Sequence, residues 1–195
     1  MDLDQTADTD FVKFWNTVLE PKFTKYRHIL QGGLSRHSAA VLPKLPIKKE
    51  MSVLDVGCGW GDMSLQVAEV VGPKGRVVGI DCVEAFLQEA RKDAAAKGLS
   101  NVQFARGDAE VALPENEFDY VVARFGTMFF TNPVAAMRRM RKARFFPKDE
   151  DLLEVDPQHQ TDTMSELQWC CLPKGFFQAL GVCAFSRKSH SIFSF

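Results

Sequence analysis

Between Ser52 and Lys142, short apolar runs of strand length alternate with longer segments carrying apolar residues at helical spacing. Ser52–Val56, Arg76–Asp81, Asn101–Ala105 and Phe118–Ala123 read as strands, and the last two close on Gly107-Asp108 and Arg124. The intervening stretches predict helices over Met63–Val71, Val83–Lys97 and, from an Asn132 cap with Pro133 in the first turn, to about Lys142. Gly72-Pro73 ends the first of these and Gly98 the second. Strands joined by helices of this length lie parallel and are covered on both faces, because each crossover places a helix over the sheet. The expected fold class is therefore α/β, a parallel sheet with flanking helices.

The first 50 residues read as a helical leader. Phe11, Phe14, Trp15 and Val18 share a face, Pro21 interrupts, Tyr26, Ile29 and Leu30 continue, and Gly32-Gly33 reads as a break. After Ala143 the strand–helix rhythm is lost, and residues 144–195 form a divergent tail. A single domain over 1–195 is expected, with leader 1–50, core 51–143 and tail 144–195. A sheet lacking its last strands would expose the edge of a central strand, and a homodimer could cover it. Two readings of the tail stay open: a divergent cap, or the product of an altered reading frame.

Composition removes several classes of function. Twenty-four basic and 25 acidic side chains give a formal charge of −1, without the basic excess of a dedicated nucleic-acid binder. No apolar run has the length of a membrane span, and the acidic start Met1-Asp2-Leu3-Asp4 lacks the apolar stretch of a signal peptide. Five cysteines with no CxxC spacing argue against a disulfide framework or a zinc site, and a cytoplasmic location is expected. The basic run Arg138, Arg139, Arg141, Lys142 and Arg144 lies at the end of a helix, where cations complement the dipole, and reads as a solvated face.

Ligands of open parallel sheets bind at the carboxyl ends of the strands. Three features of the sequence fall there. Asp55-x-Gly57-x-Gly59-x-Gly61 joins the first strand to the first helix, where glycine permits a sharp turn and close approach of the backbone to a ligand. A plain tight turn would use the same residues. Asp81 ends the second strand, twenty positions past Gly61, where a carboxylate can accept both hydroxyls of a ribose; its alternative is to cap the following helix. Asp108, in Gly107-Asp108-Ala109, ends the third strand and could accept from an adenine amino group, or be a solvated turn aspartate.

These segments (VLDVGCGWGD, RVVGID, NVQFARGDAE and FDYVVARFGTMFF, in that order) resemble the class I S-adenosylmethionine-dependent methyltransferases, in their small-molecule branch of ubiquinone and menaquinone biosynthesis. The resemblance implies a Rossmann-like fold with the leader as a helical lid, and S-adenosylmethionine as cofactor. It implies methyl transfer to a small, apolar or aromatic acceptor by in-line displacement; a non-catalytic, donor-binding remnant is the alternative. It places the loop backbone of Gly57, Cys58, Gly59 and Gly61 around the methionine and ribose, with Asp55 on the donor's amino group. Asp81 would hold the ribose, Cys82 would lie against the adenine, and Asp108 with the Ala109 N–H would read its edge. The Arg124 carbonyl would receive the methionine ammonium. A dinucleotide enzyme fits less well, because its fingerprint is GxGxxG and the spacing here is GxGxG.

No metal ligand set is expected, and no nucleic-acid partner. Neither the Asn/Asp-Pro-Pro-Tyr signature of amino-directed nucleic-acid methyltransferases nor the Pro-Cys nucleophile of cytosine methyltransferases is present. His28, His37 and Tyr26 are candidates for a general base by residue type alone, so the catalytic residue stays unassigned. Phe125, Met128, Phe129 and Phe130 could line an apolar acceptor pocket or pack as core.

Overall fold

A computed structural model describes residues 9–144 and, as backbone, two further strands at 182–185 and 192–194. Six strands form one sheet: β1 (Ser52–Val56), β2 (Arg76–Asp81), β3 (Val102–Arg106), β4 (Tyr120–Arg124), β5 (Val182–Phe185) and β6 (Ile192–Ser194), in the order β3-β2-β1-β4-β5-β6. The first four pair in parallel, β1 lying between β2 and β4. The chain order therefore reverses beside β1, and the crevice for a ligand opens at the carboxyl ends of β1 and β4.

Period-two alternation divides the strands between two cores. Val53, Val77, Phe104, Tyr120 and Val122 face α4 (Asp62–Val71) and α5 (Glu84–Ala96). Leu54, Val78, Ile80, Val121 and Ala123 face Met137, Met140 and Ala143 of α6 (Pro133–Ala143). The Asn132 side chain accepts from the Ala135 N–H at the start of α6, as its sequence predicts. Gly98 takes a φ of +65° just past α5, the left-handed conformation expected of a glycine in that place.

The leader departs from its sequence reading at two points. Pro21 does not interrupt: α1 (Asp10–Phe14), a π-helical turn over Trp15–Leu19 and α2 (Glu20–Lys25) succeed one another, with Pro21 in the first turn of α2. A missing N–H costs little in that position. Nor do Gly32 and Gly33 break the chain, for both lie inside α3 (Arg27–Val41). Each glycine weakens a helix by about 1 kcal/mol, but α3 is anchored on both sides of the pair. Arg27 bridges to Glu89 at 3.0 Å and to Asp93 at 2.9 Å. Beyond the glycines, Ser38 and Val41 are buried, and Ser38 bonds to Arg124. Tertiary anchoring outweighs propensity here.

The open edge expected beside β4 is filled. β5 pairs with β4 antiparallel, from Val121↔Phe185 to Arg124↔Val182, and β6 pairs antiparallel with β5. The edge on which the homodimer expectation rested is thus taken by the chain's own later residues. The remaining expectations for the tail lie outside the described residues. Among the described residues no helix is long and apolar enough to cross a membrane.

Candidate functional site: a cavity at the strand ends

β1 delivers the chain into a loop whose three glycines all have positive φ: Gly57 at +69°, Gly59 at +56° and Gly61 at +75°. The N–H groups of Gly57 and Cys58 both donate to the Ile80 carbonyl, at 2.8 and 3.1 Å, which fastens the loop to β2. Gly57 lies so near the start of the β4 exit loop that a Cβ on it would come within 3.2 Å of Gly126 Cα. A Cβ on Gly59 would meet nothing within 4 Å. One side of the loop is packed and the other is open, as a ligand cradle requires.

The open side faces a cavity of about 140 Å³. From the loop, Gly57, Cys58 and Gly59 line it, and the ends of the neighbouring strands add Asp81, Cys82, Asp108, Ala109 and Arg124. Eight of the ten residues singled out in the sequence meet there. Gly61 does not line the cavity: it packs against Phe104 and Ala90 and sets the entry into α4. Asp55 is the other exception. Strand alternation turns its carboxylate toward α4, where it accepts from Ser64 Oγ at 2.6 Å. It is buried away from the cavity, so the amino-group role expected of it has no support in the geometry.

Burial pushes the Asp55 carboxyl from 3.8 up to about 6, against the opposing effects of Ser64 and Arg124. The folded protein therefore holds this proton more tightly than the unfolded chain does. The stabilisation is complete below about pH 4 and is lost as pH rises through 6. Replacing Asp55 by Asn keeps an acceptor for Ser64 and removes the titration. Relative to wild type, Asp55→Asn is expected to gain about 2 kcal/mol between pH 4 and pH 7, read from urea unfolding at the two values. Parallel curves at both would refute this origin.

Asp81 serves the loop and the turn before the following helix together. Its Oδ2 accepts from the Gly59 N–H at 2.9 Å, and its Oδ1 from the Val83 N–H at 2.9 Å, one residue before α5. The capping alternative is not realised, because Val83 is the cap position of α5 and makes no side-chain cap bond; Asp81 instead closes a turn just before the helix, and its carboxylate keeps acceptor capacity for a ligand. Burial raises its pKa, opposed by bonds from Val83, Gly59 and Cys82. Asp108 is buried rather than solvated; its Oδ1 accepts from the Glu110 N–H at 2.8 Å, and Thr9 Oγ1 of the leader lies 3.4 Å from its Oδ2. Burial raises this carboxyl as well. Both thiols are pushed up by desolvation, which leaves Cys58 and Cys82 as uncharged wall residues.

Arg124 does more than end β4. Its guanidinium forms a two-pronged ion pair with Asp62, at 2.7 and 2.8 Å, and also donates to Ser38 Oγ and, at 3.3 Å, to the Leu34 carbonyl. This buried cluster ties α3 to the loop and to β4. Asp62 also lines the cavity and was missed by the sequence reading. Its place directly after Gly61, at the first position of α4, was the available signal.

The leader supplies the roof. Phe11, Trp15, Phe23 and Leu34 line the cavity from one side, and Phe125, Phe129 and Phe130 from the β4 exit. Trp15 meets Phe23 edge-on at 5.2 Å and Phe129 at 4.9 Å. Asn16 bonds the Cys82 carbonyl at 3.1 Å, securing the roof over β2. Of the four residues singled out after β4, Phe125, Phe129 and Phe130 line the cavity, whereas Met128 is 63% exposed and does not. The Phe11 and Trp15 spacing shows a common helix face, but nothing local shows what that face covers. None of the candidate bases lines the cavity. Tyr26 and His28 are exposed, and His37 packs on the Phe125 ring at 5.0 Å, with its pKa lowered by burial and by Arg124.

Comparison with known proteins fits this arrangement. A family described as "Methyltransferase domain" matches residues 47–170, well over half of the chain. The chain belongs to this methyltransferase family. It is 34% identical over 103 residues to a demethylmenaquinone methyltransferase of Geobacillus stearothermophilus, covering 52% of this chain and 44% of that protein. It is 38% identical over 95 residues to the enzyme of the same name from Listeria monocytogenes serotype 4a, covering 48% and 40%. The chain thus spans less than half the length of these curated relatives. Among solved structures, a SAM-dependent methyltransferase from Aquifex aeolicus matches with a TM-score of 0.51 and 25% identity, over 62% of this chain and 70% of that one. The [4+2]-cyclase SpnF matches with a TM-score of 0.51 and 28% identity, over 56% and 40%. The methyltransferase domain fold is therefore shared with a protein named for a different reaction.

Proposed function

We propose that this chain binds S-adenosylmethionine in the cavity at the strand ends and transfers its methyl group to a small, apolar or aromatic acceptor. The observation that carries the reading is the row of groups along the strand ends. In the order β3, β2, β1, β4 these are Asp108, Asp81, the glycine loop and Arg124 with Asp62, all on one cavity. Four strand ends about 4.8 Å apart span roughly 14 Å, the reach of an extended nucleoside with an amino-acid tail. Two carboxylates that form no ion pair among the described residues, Asp108 buried and Asp81 partly buried, and a glycine cradle with open space suit such a ligand.

In this reading Asp108 and the Ala109 N–H take the adenine edge, Cys82 lies against the base, and Asp81 holds the ribose hydroxyls. The backbone of Gly57, Cys58 and Gly59 borders the ribose and methionine portion. Arg124 and Asp62 stand where the amino-acid end would lie. When bound, the donor supplies a methyl group on a sulfonium sulfur, a leaving group that needs no protein nucleophile. The work left to the chain is to align an acceptor and exclude water, which the rings of Phe11, Trp15, Phe23, Phe125 and Phe129 support. The cavity's cation is committed to Asp62, which favours a small apolar acceptor over a nucleic acid.

The test is incubation with S-adenosylmethionine and a demethylated naphthoquinone of short side chain, followed by mass spectrometry. An acceptor heavier by one methyl group, formed with equal S-adenosylhomocysteine, is the expected result. Tight donor binding with no methylated product from quinone, phenol or amine acceptors would favour the donor-binding module instead.

A further inference from the structure

The leader is charged unlike the rest of the chain. Between Phe11 and Lys49 the sequence holds eight basic residues and one acidic residue, Glu20, whereas all other positions together hold 16 basic and 24 acidic. Asp10 opens α1, and Glu20 accepts from Thr24 Oγ1 at 2.8 Å. Arg27 is committed to Glu89 and Asp93. Lys13, Lys22, Lys25 and Arg36 are exposed and form no ion pair among the described residues. Lys74, Lys92, Lys97 and Lys142, by contrast, each pair with a glutamate.

Apolar side chains lie exposed among these cations. Phe11, Trp15, Leu19, Phe23 and Leu30 pack inward, in one cluster with Trp60 and Phe86. Phe14 and Val18, four positions apart, and Tyr26 and Ile29, three apart, stay outside it: Phe14 and Tyr26 are each 49% exposed and Ile29 is 62% exposed. Lys25 Nζ lies 5.5 Å from the centre of the Tyr26 ring, so cation and ring share one patch. A single exposed apolar residue is ordinary. Four of them on successive helical segments, among lysines without acidic partners, have the composition of a helix that lies in a membrane interface.

We propose that the outer face of the leader, from α1 into α3, docks reversibly on an anionic lipid surface. Lys13, Lys22, Lys25 and Arg36 meet the lipid phosphates, and Phe14, Val18, Tyr26 and Ile29 enter the headgroup region. A nucleic acid would match the charge but leave these apolar side chains in water. The inner side of the same helices roofs the cavity through Phe11, Trp15, Phe23 and Leu34. Docking therefore sets the cavity about one helix diameter, roughly 10 Å, from the lipid. An apolar acceptor drawn from the bilayer would then reach the site with little passage through water. That use, though not the docking, rests on the reading of the cavity as a methyl-transfer site.

Flotation of the full chain with vesicles tests this, using phosphatidylcholine alone and phosphatidylcholine mixed with phosphatidylglycerol. Partition onto the anionic vesicles should be at least about tenfold stronger than onto the neutral ones, and should fall several-fold at high salt. Lys22→Gln with Lys25→Gln should weaken it by about tenfold. Phe14→Ser with Ile29→Ser should weaken it several-fold. The four side chains are exposed, so both double variants should unfold at the wild-type temperature. Partition that is absent, or equal on neutral and anionic vesicles, would overturn the proposal, and so would unchanged partition of Phe14→Ser with Ile29→Ser. Binding of duplex DNA as tight as that of anionic vesicles, and equal in the apolar double variant, would make the face a nucleic-acid surface and overturn it too. S-adenosylmethionine enters none of these measurements, so their failure leaves the donor reading standing, and failure of donor binding leaves the docking standing.

Discussion

Asp81→Ala is expected to weaken S-adenosylmethionine binding by about one to two orders of magnitude, corresponding to about 1.5–3 kcal/mol for hydrogen bonds to a charged group. The effect has two sources. The carboxylate would lose its bonds to the ribose hydroxyls, and the Gly59 N–H, held at 2.9 Å, would lose its acceptor. The second source loosens the cradle itself, so the Asn variant is informative. Asp81→Asn keeps one oxygen and one of the two backbone bonds but no charge, and should fall between wild type and Ala. Calorimetry gives the affinities and thermal unfolding shows whether the sheet survives. Affinity of Asp81→Ala within about threefold of wild type would remove Asp81 from the donor site.

Gly61→Ala should lower the unfolding free energy by about 3 kcal/mol, from about 1–2 kcal/mol for a left-handed alanine and about 1–3 kcal/mol for overpacking. The backbone at Gly61 has a φ of +75°, and an added Cβ would lie 2.7 Å from the Phe104 ring and 2.9 Å from Ala90 Cβ. Phe104 is a core residue of β3, and Ala90 belongs to α5, so neither moves freely. For a domain of this size the loss should lower Tm by about 6–12 °C. Phe104→Leu should restore part of it in the double variant, because the smaller side chain relieves the ring contact but not the backbone strain. A Tm within 2 °C of wild type would mean that the loop enters α4 in another conformation.

The two variants separate what a single glycine motif hides. Gly61 shapes the turn by packing, whereas Gly57 and Gly59 border the cavity. Spacing alone shows three glycines between a strand and a helix. It does not say which face of the loop is filled by Phe104 and which is left open. Asp55 teaches the same lesson: its position in the motif suggested a ligand, but the pleat sends its carboxylate to Ser64.

The local pattern of the sequence determined the parallel sheet, because strand-length runs joined by helices have no other compact arrangement. It also determined the gathering of Gly57, Gly59, Asp81, Asp108 and Arg124, because chain ends of parallel strands fall on one side. Tertiary structure decided the rest. Whether Gly32 and Gly33 break a helix depends on ion pairs to residues some sixty positions away, made by Arg27, and on the Arg124 contact with Ser38. Whether Phe11, Trp15 and Phe23 are core or roof depends on what lies beneath them, which helical spacing does not encode. The edge of β4 is closed by β5, a partner about sixty residues later in the chain. Short-range pattern fixes which elements form and which way their faces turn; long-range contacts fix what those faces meet, and in this chain they decide what the cavity holds.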